Sequence, residues 1–250
     1  MSQRVLITAG TSGIGRAMGD AFAAAGAQVW VTDVDAAALA AAPKDWRVTQ
    51  VDASNEAGVK ALFDDIKAEW GGLDVLCANA GIAGPTALVE DIALTDWQAC
   101  VSVNFEGAFL AAKYAASVMK TAGSGVVILT SSTAGQHGYP NRAPYAAAKW
   151  AVIGLMKTLA MELGPYGIRA NAICPGAVEG ERMEGVLERE ATAKGMTRDA
   201  VYASGTSMRS FVTGADIANM AVFLASEGAR LVSGQVIAVD GHTVNPDPQV

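Results

Sequence analysis

The sequence predicts an α/β fold, a single doubly wound domain in which a seven-stranded parallel sheet carries helices on both faces. Short β-rich runs alternate with longer helical patterns along the 250 residues, and this alternation is typical of parallel sheets. The first β-rich run passes directly into a glycine-rich turn and then into a helical pattern. No internal repeat and no interdomain linker interrupts this order, so we expect residues 1–250 to form one domain.

Composition and charge argue against several classes of function. The net charge of −7 disfavours a nucleic-acid-binding surface, which needs a basic patch. No apolar run has the length of a membrane span. We therefore expect a soluble, cytoplasmic protein with no nucleic-acid or membrane partner. The three cysteines lie within separate apolar runs, and neither of the two histidines has a ligand-spaced partner, so we expect buried free thiols and no metal site.

The first predicted strand, Arg4–Thr8, leads into a turn that contains Gly10, Gly13 and Gly15. A helical pattern follows to about Ala25. Backbone N–H groups at a helix N-terminus can approach a pyrophosphate where no Cβ intervenes. The order of strand, turn and helix therefore predicts a phosphate-binding loop. A tight turn without a ligand is the alternative interpretation.

The second predicted strand, Gln28–Thr32, ends at an acidic residue. Asp33 lies eighteen residues beyond Gly15, where a carboxylate accepts hydrogen bonds from the ribose hydroxyls of an adenosine and repels a 2′-phosphate. No lysine or arginine stands beside Thr11 or Asp33 to bind that phosphate, so the sequence favours NAD over NADP. Asp33 or Asp35 can also cap the alanine-rich helix that follows, and capping is compatible with ligand binding.

The next two predicted strands also end at candidate ligand residues. Arg47–Val51 runs into Asp52 and then into a helical pattern at Asn55–Trp70. Asp52 lies at the edge where open α/β sheets bind ligands, so it either contacts the adenine amino group or caps the helix. Leu73–Ala78 is the fourth predicted strand, and the small residues after it would let the backbone pass close to a ribose. These residues are Asn79, Ala80 and Gly81.

A helical pattern at Thr95–Met119 carries a polar residue near its middle. Asn104 stands between apolar neighbours, and an asparagine in that setting needs a buried hydrogen-bonding partner. We therefore expect Asn104 to be either a structural hydrogen-bonding residue or a member of a proton relay.

The residues with the clearest chemistry follow the fifth predicted strand, Gly125–Thr130. Tyr145 and Lys149 are four apart, and in the helical pattern Tyr145–Tyr166 this spacing places them on one face, one turn apart. An ammonium favours the phenolate form of a neighbouring phenol, and such a tyrosine can exchange a proton with an alcohol or a ketone. Ser132, thirteen residues upstream, can hydrogen-bond the same substrate oxygen. Alternatively, the spacing of Tyr145 and Lys149 arises by chance, and Ser132 is a residue of an ordinary turn.

The last third of the sequence contains a long interruption. A sixth predicted strand, Ile168–Ile173, closes at Pro175 and Gly176. Residues 179–211 are charged, rich in glycine and long for a connection between elements, so we expect a helical substrate lid. The predicted elements after the lid are a helix at Gly214–Ser226, a seventh strand at Gly234–Val239 and a polar tail over residues 241–250.

Together these features resemble the short-chain dehydrogenase/reductase family, in its ordinary branch of roughly 250 residues. The matching motifs, in chain order, are Thr8–Gly15, Asp52, Asn79–Gly81, Asn104, Ser132, Tyr145 with Lys149, and Pro175–Gly176. The resemblance implies a Rossmann-type fold and a homotetramer with the strand Gly234–Val239 at a second interface. It implies that Tyr145 is the acid/base and that Ser132 orients the substrate oxygen. It also implies that Lys149 holds the nicotinamide ribose and that Asn104 anchors a water chain.

The sequence departs from the family pattern at three places. Ala9 replaces the usual first glycine of the turn, and Ala78 stands where an asparagine often precedes Asn79. After the sixth strand, Glu179 and Gly180 occupy the region in which a threonine usually contacts the nicotinamide carboxamide.

The candidate site residues fall into three groups. The predicted catalytic residues are Asn104, Ser132, Tyr145 and Lys149. The predicted cofactor-binding residues are Gly10, Ser12, Gly13, Ile14, Gly15, Asp33, Val34, Asp52, Ala53, Asn79, Ala80, Gly81, Tyr145, Lys149, Pro175, Gly176 and Val178. The substrate candidates are Ser132, His137, Arg142, Tyr145, Glu179, Arg182 and Met183, with Tyr139, Asn141, Trp150 and Arg209 nearby. Arg142 and Arg182 can pair an anionic group of the substrate, but surface or subunit salt bridges to the many nearby glutamates are at least an equal alternative.

We expect an NAD-dependent oxidoreductase that transfers a hydride between a secondary alcohol, or its ketone, and nicotinamide. The expected substrate is small and polar, with an anionic group as an open alternative. Two other functions are considered: a 3-oxoacyl-type or other carbonyl reductase, and a non-catalytic NAD-binding sensor or scaffold. The four candidate catalytic residues argue against the sensor, because a protein that only binds the cofactor does not need all of them.

Overall fold

The computed structural model describes residues 2–180, 183–184, 188, 191–192 and 195–243. It confirms the predicted fold class, because seven strands form one parallel sheet in the order β3-β2-β1-β4-β5-β6-β7. The strands are β1 Arg4–Thr8, β2 Gln28–Asp33, β3 Arg47–Gln50, β4 Val75–Ala78, β5 Gly125–Thr130, β6 Ile168–Pro175 and β7 Val236–Val239.

Helices cover both faces of this sheet. Those with fully described bounds are α1 Gly13–Ala24, α2 Ala36–Ala40, α3 Glu56–Trp70, α4 Leu94–Val101, α5 Gly107–Ala122, α6 Ala143–Leu163, α7 Arg198–Gly205 and α8 Gly214–Ala225. No helix in the described part of the chain is long and apolar enough to cross a membrane.

Two separate hydrophobic cores lie on the two faces of the sheet. Neighbouring residues of a strand point to opposite faces, so Leu6 belongs to one core and Val5 and Ile7 belong to the other. The first core contains the apolar faces of α3, α5 and α6, and the second contains those of α1 and α8. Burial of the strands on both faces explains why they appear in the sequence as continuous apolar runs.

The carboxyl ends of the strands lie along one edge of the sheet, because all seven strands run in the same direction. The ends that matter for the site are Thr8 in β1, Asp33 in β2, Ala78 in β4, Thr130 in β5 and Pro175 in β6. Each of these residues begins a predicted site segment or lies within two residues of one. Open α/β sheets bind ligands at this edge, so the fold brings the candidate residues to one side of the sheet.

The helix predicted at Thr95–Met119 is interrupted. It consists of α4, a π-helical turn at Ser102–Glu106, and α5. A π turn widens one turn of a helix and often occurs at functional sites. Asn104 lies within this turn, so the polar residue noted in the sequence coincides with the irregularity.

Smaller differences concern the ends of elements. The helix predicted at Tyr145–Tyr166 begins at Ala143, and its last residues, Gly164–Tyr166, form a 3₁₀ turn. The physical reason is Pro165, which has no N–H to continue the α-helical hydrogen bonds. Strand β6 is longer than predicted, because its pairing with β7 continues to Pro175.

The segment predicted as a lid, residues 179–211, is attached to the rest of the fold near both of its ends. Val178 and Val212 form a parallel bridge directly outside the segment. Near the carboxyl end of the segment, Thr206 forms an antiparallel bridge with Thr243. The described part of the segment therefore begins and ends close to the carboxyl edge of the sheet.

Residues 241–243 of the predicted polar tail are hydrogen-bonded to the same segment. The backbone N–H of Ser207 donates to the carbonyl of His242 at 2.9 Å, and that of Met208 donates to the carbonyl of Gly241 at 3.1 Å. Residues 244–250 lie outside the described residues.

Candidate active site

The turn between β1 and α1 presents the N-terminal end of α1 to the carboxyl edge of the sheet. Ser12 is the N-cap of α1, and its hydroxyl makes no capping hydrogen bond. Gly10 packs against Val31 so closely that a Cβ at position 10 would lie 2.6 Å from the Cβ of Val31. Gly13 has a φ of +51°, in the left-handed region that favours glycine. Helix N-termini with exposed N–H groups bind anions, so this end of α1 suits a pyrophosphate.

Ala9 keeps a glycine-like backbone although it carries a methyl group. Its φ is +50°, a conformation that costs a non-glycine residue about 1–2 kcal/mol. The surrounding structure holds it there, because the Nδ2 of Asn79 donates to the carbonyl of Ala9 at 3.2 Å. The departure from the family pattern therefore leaves the shape of the turn intact and places backbone strain at its first residue.

Asp33, at the end of β2, is held by three hydrogen bonds. Its Oδ2 accepts from the hydroxyl of Thr11 at 2.5 Å. Its Oδ1 accepts from the backbone N–H groups of Val34 at 2.8 Å and Asp35 at 3.3 Å. The N-cap of α2 is Asp35, whose side chain accepts from two N–H groups of that helix. Helix capping therefore belongs to Asp35, and the carboxylate of Asp33 is oriented by the glycine turn instead.

Asp52 follows β3 and does not cap α3. Its Oδ1 accepts from the backbone N–H of Ser54 at 2.9 Å and from the hydroxyl of Ser54 at 2.7 Å. The N-cap of α3 is Asn55, so the capping interpretation of Asp52 is wrong. Ala53 packs against Gly107, because a Cβ added to Gly107 would lie 3.1 Å from the Cβ of Ala53. The Asp52 side chain thus belongs to an exposed turn at the carboxyl edge.

The hydroxyl of Thr8 joins the end of β1 to the segment after β4. It accepts from the backbone N–H groups of Asn79 at 2.9 Å and Ala80 at 3.0 Å. In return, the Nδ2 of Asn79 donates to the carbonyl of Thr8 at 3.3 Å. These bonds fix the distance between the glycine turn and the predicted ribose-binding segment.

Asn104 is buried, with 1% of its surface exposed. Its Nδ2 donates to the carbonyl of Ile82 at 3.0 Å and to that of Cys100 at 2.9 Å. The carbonyl of Cys100 lies one helical turn before Asn104, so the side chain of Asn104 bonds its own helix as well as the loop after β4. Its Oδ1 is buried and has no hydrogen-bond partner in the described part of the chain. An unpaired buried acceptor costs about 1–3 kcal/mol, so this oxygen marks a position for water or a polar ligand.

Lys149 and Tyr145 occupy the first turns of α6. Lys149 is 3% exposed, and its Nζ donates to the carbonyl of Thr130 at 3.0 Å. The same nitrogen lies 5.7 Å from the centre of the Tyr145 ring. A Cβ added to Gly81 would lie 3.3 Å from this nitrogen and 2.7 Å from the Oδ1 of Asn104. The loop after β4, the π turn and α6 therefore meet around Gly81.

Ser132 is the N-cap of the 3₁₀ turn Thr133–Gly135. Its hydroxyl oxygen accepts from the backbone N–H of Ala134 at 3.1 Å, which leaves the hydroxyl hydrogen able to donate to a substrate oxygen. The neighbouring Ser131 donates to the carbonyl of Lys149 at 2.8 Å. This bond fastens the turn to α6, so the turn role and the substrate role of Ser132 are compatible.

The segment after β6 passes close to the end of β7. A Cβ at Gly176 would lie 2.8 Å from the Cβ of Asp240, and the N–H of Gly176 donates to the carbonyl of Val239 at 3.1 Å. Only a residue without a side chain fits here, which explains the glycine after Pro175.

The predicted substrate residues are brought together only in part. His137 is exposed on the turn after Ser132, and its carbonyl accepts from the indole N–H of Trp150 at 3.4 Å. Glu179 and Met183 line a separate cavity of about 280 Å³ with Arg198 and Phe211. Arg182 lies outside the described residues.

Arg142 does not take part in a salt bridge with any carboxylate in the described part of the chain. Its Nη2 donates to the carbonyl of Ala83 at 2.9 Å. Its guanidinium carbon lies 5.0 Å from the centre of the Tyr145 ring. Within the described residues, Arg142 therefore makes no surface salt bridge, and a salt bridge to another subunit stays a prediction.

The three cysteines are free and buried, as expected. Burial raises the pKa of Cys77 to about 12, and burial is also the main cause of the raised pKa of Cys100 and of Cys174. The thiolate is the reactive form of cysteine, so these thiols are unsuited to nucleophilic chemistry. Among the described residues, no three potential metal-ligating side chains form a cluster.

Three groups that hold the site together by hydrogen bonds were not predicted from the sequence. They are the hydroxyl of Thr8, the hydroxyl of Thr11 and the carbonyl of Thr130. Threonines at a strand end beside a glycine turn are a usable signal for the first two. A backbone carbonyl has no sequence signal, because every residue carries one.

The fold and the carboxyl-edge residues define the class of a nicotinamide-dependent α/β oxidoreductase. A family model described as enoyl-(acyl carrier protein) reductase matches residues 8–242. The chain belongs to the short-chain dehydrogenase/reductase family.

Named relatives extend over nearly the whole chain. Levodione reductase of Leifsonia aquatica is 35% identical over 95% of this chain and 92% of its own length. Cis-4-hydroxycyclohexanecarboxylate dehydrogenase of Sinomonas cyclohexanicum is 35% identical over 94% of both chains. The crystal structure of an NAD⁺-bound xylitol dehydrogenase superposes with a TM-score of 0.89 at 28% identity, covering 96% of this chain and 98% of the other.

Proposed function

We propose that this protein transfers a hydride between a secondary alcohol, or its ketone, and a nicotinamide dinucleotide. The observation that carries the proposal is the buried Lys149 ammonium, 5.7 Å from the centre of the Tyr145 ring. A phenol beside a fixed cation is suited to proton exchange with a substrate oxygen. The printed names of the two sequence relatives, a reductase and a hydroxy-acid dehydrogenase, support the same class of reaction.

Four residues have separate roles in this proposal. The hydroxyl of Tyr145 gives its proton to the substrate oxygen during reduction and takes it back during oxidation. The hydroxyl of Ser132 donates a hydrogen bond that orients that oxygen. The Nζ of Lys149 holds the ribose next to the nicotinamide, and the Oδ1 of Asn104 anchors a water that carries the proton towards solvent. When bound, the nicotinamide supplies or accepts the hydride.

The residues at the carboxyl edge fit a dinucleotide. The N-terminal end of α1 offers backbone N–H groups for the pyrophosphate, and Asp33 offers carboxylate oxygens for the adenosine ribose. We propose NAD rather than NADP, because the Asp33 carboxylate is already fixed by Thr11 and repels a 2′-phosphate. Val34, which is 62% exposed, supplies no positive charge beside it.

Residues 179–211 are proposed to act as a substrate lid. The support is the attachment of the segment near the carboxyl edge through Val178 and Val212. The described part also has its own small apolar cluster, in which Ala191 and Val201 pack with Met183 and Phe211. Limited proteolysis with and without NAD tests this, since closure over a bound cofactor should slow cleavage within the segment.

The assembly is proposed to be a homotetramer. Large apolar side chains remain exposed on α5 and α6, with Phe109 44%, Trp150 50% and Met161 81% exposed. Leu231, five residues before the start of β7, is 82% exposed. Two separate apolar surfaces are what a tetramer with two kinds of interface needs. Sedimentation of a monomer at micromolar concentration would contradict this.

The hydride-transfer proposal is tested with NAD⁺ and a panel of secondary alcohols. The panel contains cyclohexanol, borneol, xylitol and cis-4-hydroxycyclohexanecarboxylate, and NADH is followed at 340 nm. Turnover is also measured in reverse with the matching ketones and NADH. The expected result is NADH formation from at least one alcohol by the native protein and its loss in Tyr145→Phe.

Tyr166→Phe is a matched control. Tyr166 also has a lysine ammonium close to its ring, since the Nζ of Lys120 lies 4.4 Å from the ring centre, but it follows the opposite end of α6. Turnover should therefore be unchanged in Tyr166→Phe. Cofactor binding without turnover across the panel and its ketones would favour the non-catalytic sensor instead.

A further inference from the structure

We propose that Arg142 is a positioning residue for Tyr145. In this inference its guanidinium fastens the loop after β4 to the start of α6 and covers one face of the tyrosine ring. The inference rests on the proposed function, because it assumes that Tyr145 is the residue that exchanges the proton.

The contacts of Arg142 join two parts of the candidate site. Arg142 is the N-cap residue of α6, so its backbone leads directly into the turn that carries Tyr145. Its Nη2 donates to the carbonyl of Ala83 at 2.9 Å, in the loop that begins with Asn79. Its guanidinium carbon lies 5.0 Å from the centre of the Tyr145 ring, within the range of a cation–π interaction. One side chain therefore links the predicted ribose-binding loop to the tyrosine.

The orientation of Arg142 does not suit side-on recognition of a substrate carboxylate. Arg4 shows that geometry in the same chain, because its Nε and Nη2 bind the two oxygens of Asp74 at 2.9 and 2.7 Å. In Arg142 the equivalent Nη2 is bonded to Ala83. Its Nε is buried and has no hydrogen-bond partner within the described residues. The Nε and Nη2 groups, which bind a carboxylate in Arg4, therefore face the protein interior in Arg142.

The loop after β4 is held at two consecutive carbonyls by two site residues. Asn104 binds the carbonyl of Ile82, and Arg142 binds the carbonyl of Ala83. Losing the second bond leaves the loop attached to the π turn and removes its side-chain bond to the start of α6. The backbone bond from the N–H of Ala87 to the carbonyl of Asn141 at 3.0 Å remains. The Tyr145 ring then also loses the guanidinium on its face, so its position relative to the loop is less well fixed.

Three variants separate positioning from general stability. Arg142→Met keeps the aliphatic stem and removes the charge and the donors, whereas Arg142→Lys keeps a charge. Arg169→Met is the matched control. Arg169 is another half-buried arginine, and within the described residues its side chain donates to backbone carbonyls, those of Val232 and Ser226. For each variant we would measure kcat in H₂O and D₂O, the Kd of the cofactor and the thermal midpoint.

Arg142→Met is expected to lower kcat about tenfold to a hundredfold, the range typical of a displaced catalytic group. The solvent isotope effect on kcat should rise, because proton transfer from a displaced hydroxyl limits the rate more strongly. The Kd of the cofactor should stay unchanged, and Arg142→Lys should recover part of kcat. Arg169→Met should change only the thermal midpoint.

A second measurement does not depend on turnover. Tyrosine is replaced by 3-fluorotyrosine, and the ¹⁹F resonance of residue 145 is assigned by its loss in Tyr145→Phe. Arg142→Met should shift and broaden this resonance, and Arg169→Met should leave it in place. If the native protein turns over no substrate but the resonance shifts, the proposed function fails and the Arg142 contact stands.

Two results would overturn the inference. One is an unchanged resonance together with an unchanged solvent isotope effect in Arg142→Met. The other is a KM that rises only for cis-4-hydroxycyclohexanecarboxylate while kcat for neutral alcohols is unchanged, since that pattern shows direct binding of the substrate carboxylate.

Discussion

Asp33→Asn is expected to reduce the preference for NAD over NADP, because it removes a charge from the end of β2 and little else. In the native chain the carboxylate accepts from the hydroxyl of Thr11 and from the backbone N–H groups of Val34 and Asp35. Asparagine has nearly the same shape and keeps one carbonyl oxygen as an acceptor, so the turn is preserved. The variant no longer repels a 2′-phosphate, and it binds ribose hydroxyls through neutral hydrogen bonds only.

The expected magnitude follows from these charges. Two unit charges about 4 Å apart interact by about 1 kcal/mol in water and about 4 kcal/mol at an effective dielectric constant of about 20. Asp33 is half-buried, so we take about 2 kcal/mol for its repulsion of a 2′-phosphate. Replacing a charged acceptor by a neutral one weakens the ribose hydrogen bonds by about 1 kcal/mol. The ratio of kcat/KM for NAD to that for NADP should therefore fall by about 3 kcal/mol, or about 100-fold.

The assay compares initial rates with the two cofactors at one saturating alcohol concentration and fixed ionic strength. Asp35→Asn is the matched control, since it removes the same charge two residues away, at the N-cap of α2. It should leave stability nearly unchanged, because asparagine and aspartate are equally good N-cap residues, and it should also leave the cofactor ratio unchanged. The reasoning is refuted if the two variants change the ratio equally, or if the native protein uses NADP as well as NAD.

Three further predictions concern the rest of the fold. Burial alone would raise the pKa of Asp74, but hydrogen bonds from the side chain and backbone of Arg4, together with its charge, lower this pKa overall. The Arg4–Asp74 pair therefore stabilises the folded protein above the ordinary pKa of 3.8, and this stabilisation is lost as the pH falls through the lowered pKa. Asp74→Asn should therefore lower the free energy of unfolding in urea by about 1–3 kcal/mol at neutral pH, and an equal loss in strong acid would contradict this. Ala9→Gly should raise the free energy of unfolding by up to about 1 kcal/mol, because relief of the positive φ outweighs the greater freedom of the unfolded chain. A lower melting temperature of this variant would contradict the inference that the backbone is strained at Ala9. Cys77, whose pKa burial raises to about 12, should resist iodoacetamide at pH 8 until the protein unfolds, as mass spectrometry of the modified chain would show.

The sheet could be predicted from the sequence because its strands are buried on both faces. Val75–Ala78 and Gly125–Thr130 are continuous apolar runs, and such runs bounded by turns indicate buried parallel strands. The π turn could not be predicted in the same way. Within it, Asn104 bonds the carbonyl of Ile82 in the loop after β4, a partner 22 residues away that no local pattern of the helix indicates.

The site could be predicted where spacing alone determines the contact. Tyr145 and Lys149 are one helical turn apart, and the structure keeps them on one face. The partner of Arg142 could not be predicted, because the loop that brings the carbonyl of Ala83 to it lies 59 residues away in sequence. The division of roles between Asp33 and Asp35 was also left open, since both precede the same helix and only the backbone conformation decides which one caps it.

The ends of parallel strands explain why hydrogen bonds to carbonyls recur throughout this site. A strand that stops leaves backbone groups without a ladder partner, and buried ones must be satisfied by other means. At the end of β1 the amide of Asn79 binds the carbonyl of Thr8. At the end of β5 the ammonium of Lys149 binds the carbonyl of Thr130. Side chains that are candidates for chemistry thus also complete the edge of the sheet.

This double use affects how variants of the site are interpreted. Removing the ammonium of Lys149 takes a cation from beside Tyr145 and also removes a donor from the carbonyl of Thr130, which costs about 1–3 kcal/mol for a buried group left unpaired. Within the described residues, the hydroxyl of Tyr145 makes no comparable bond to a strand end, so its removal breaks none there. Loss of activity in a Lys149 variant therefore reports on chemistry only after the folded fraction is measured, whereas Tyr145→Phe isolates the proton-exchanging hydroxyl.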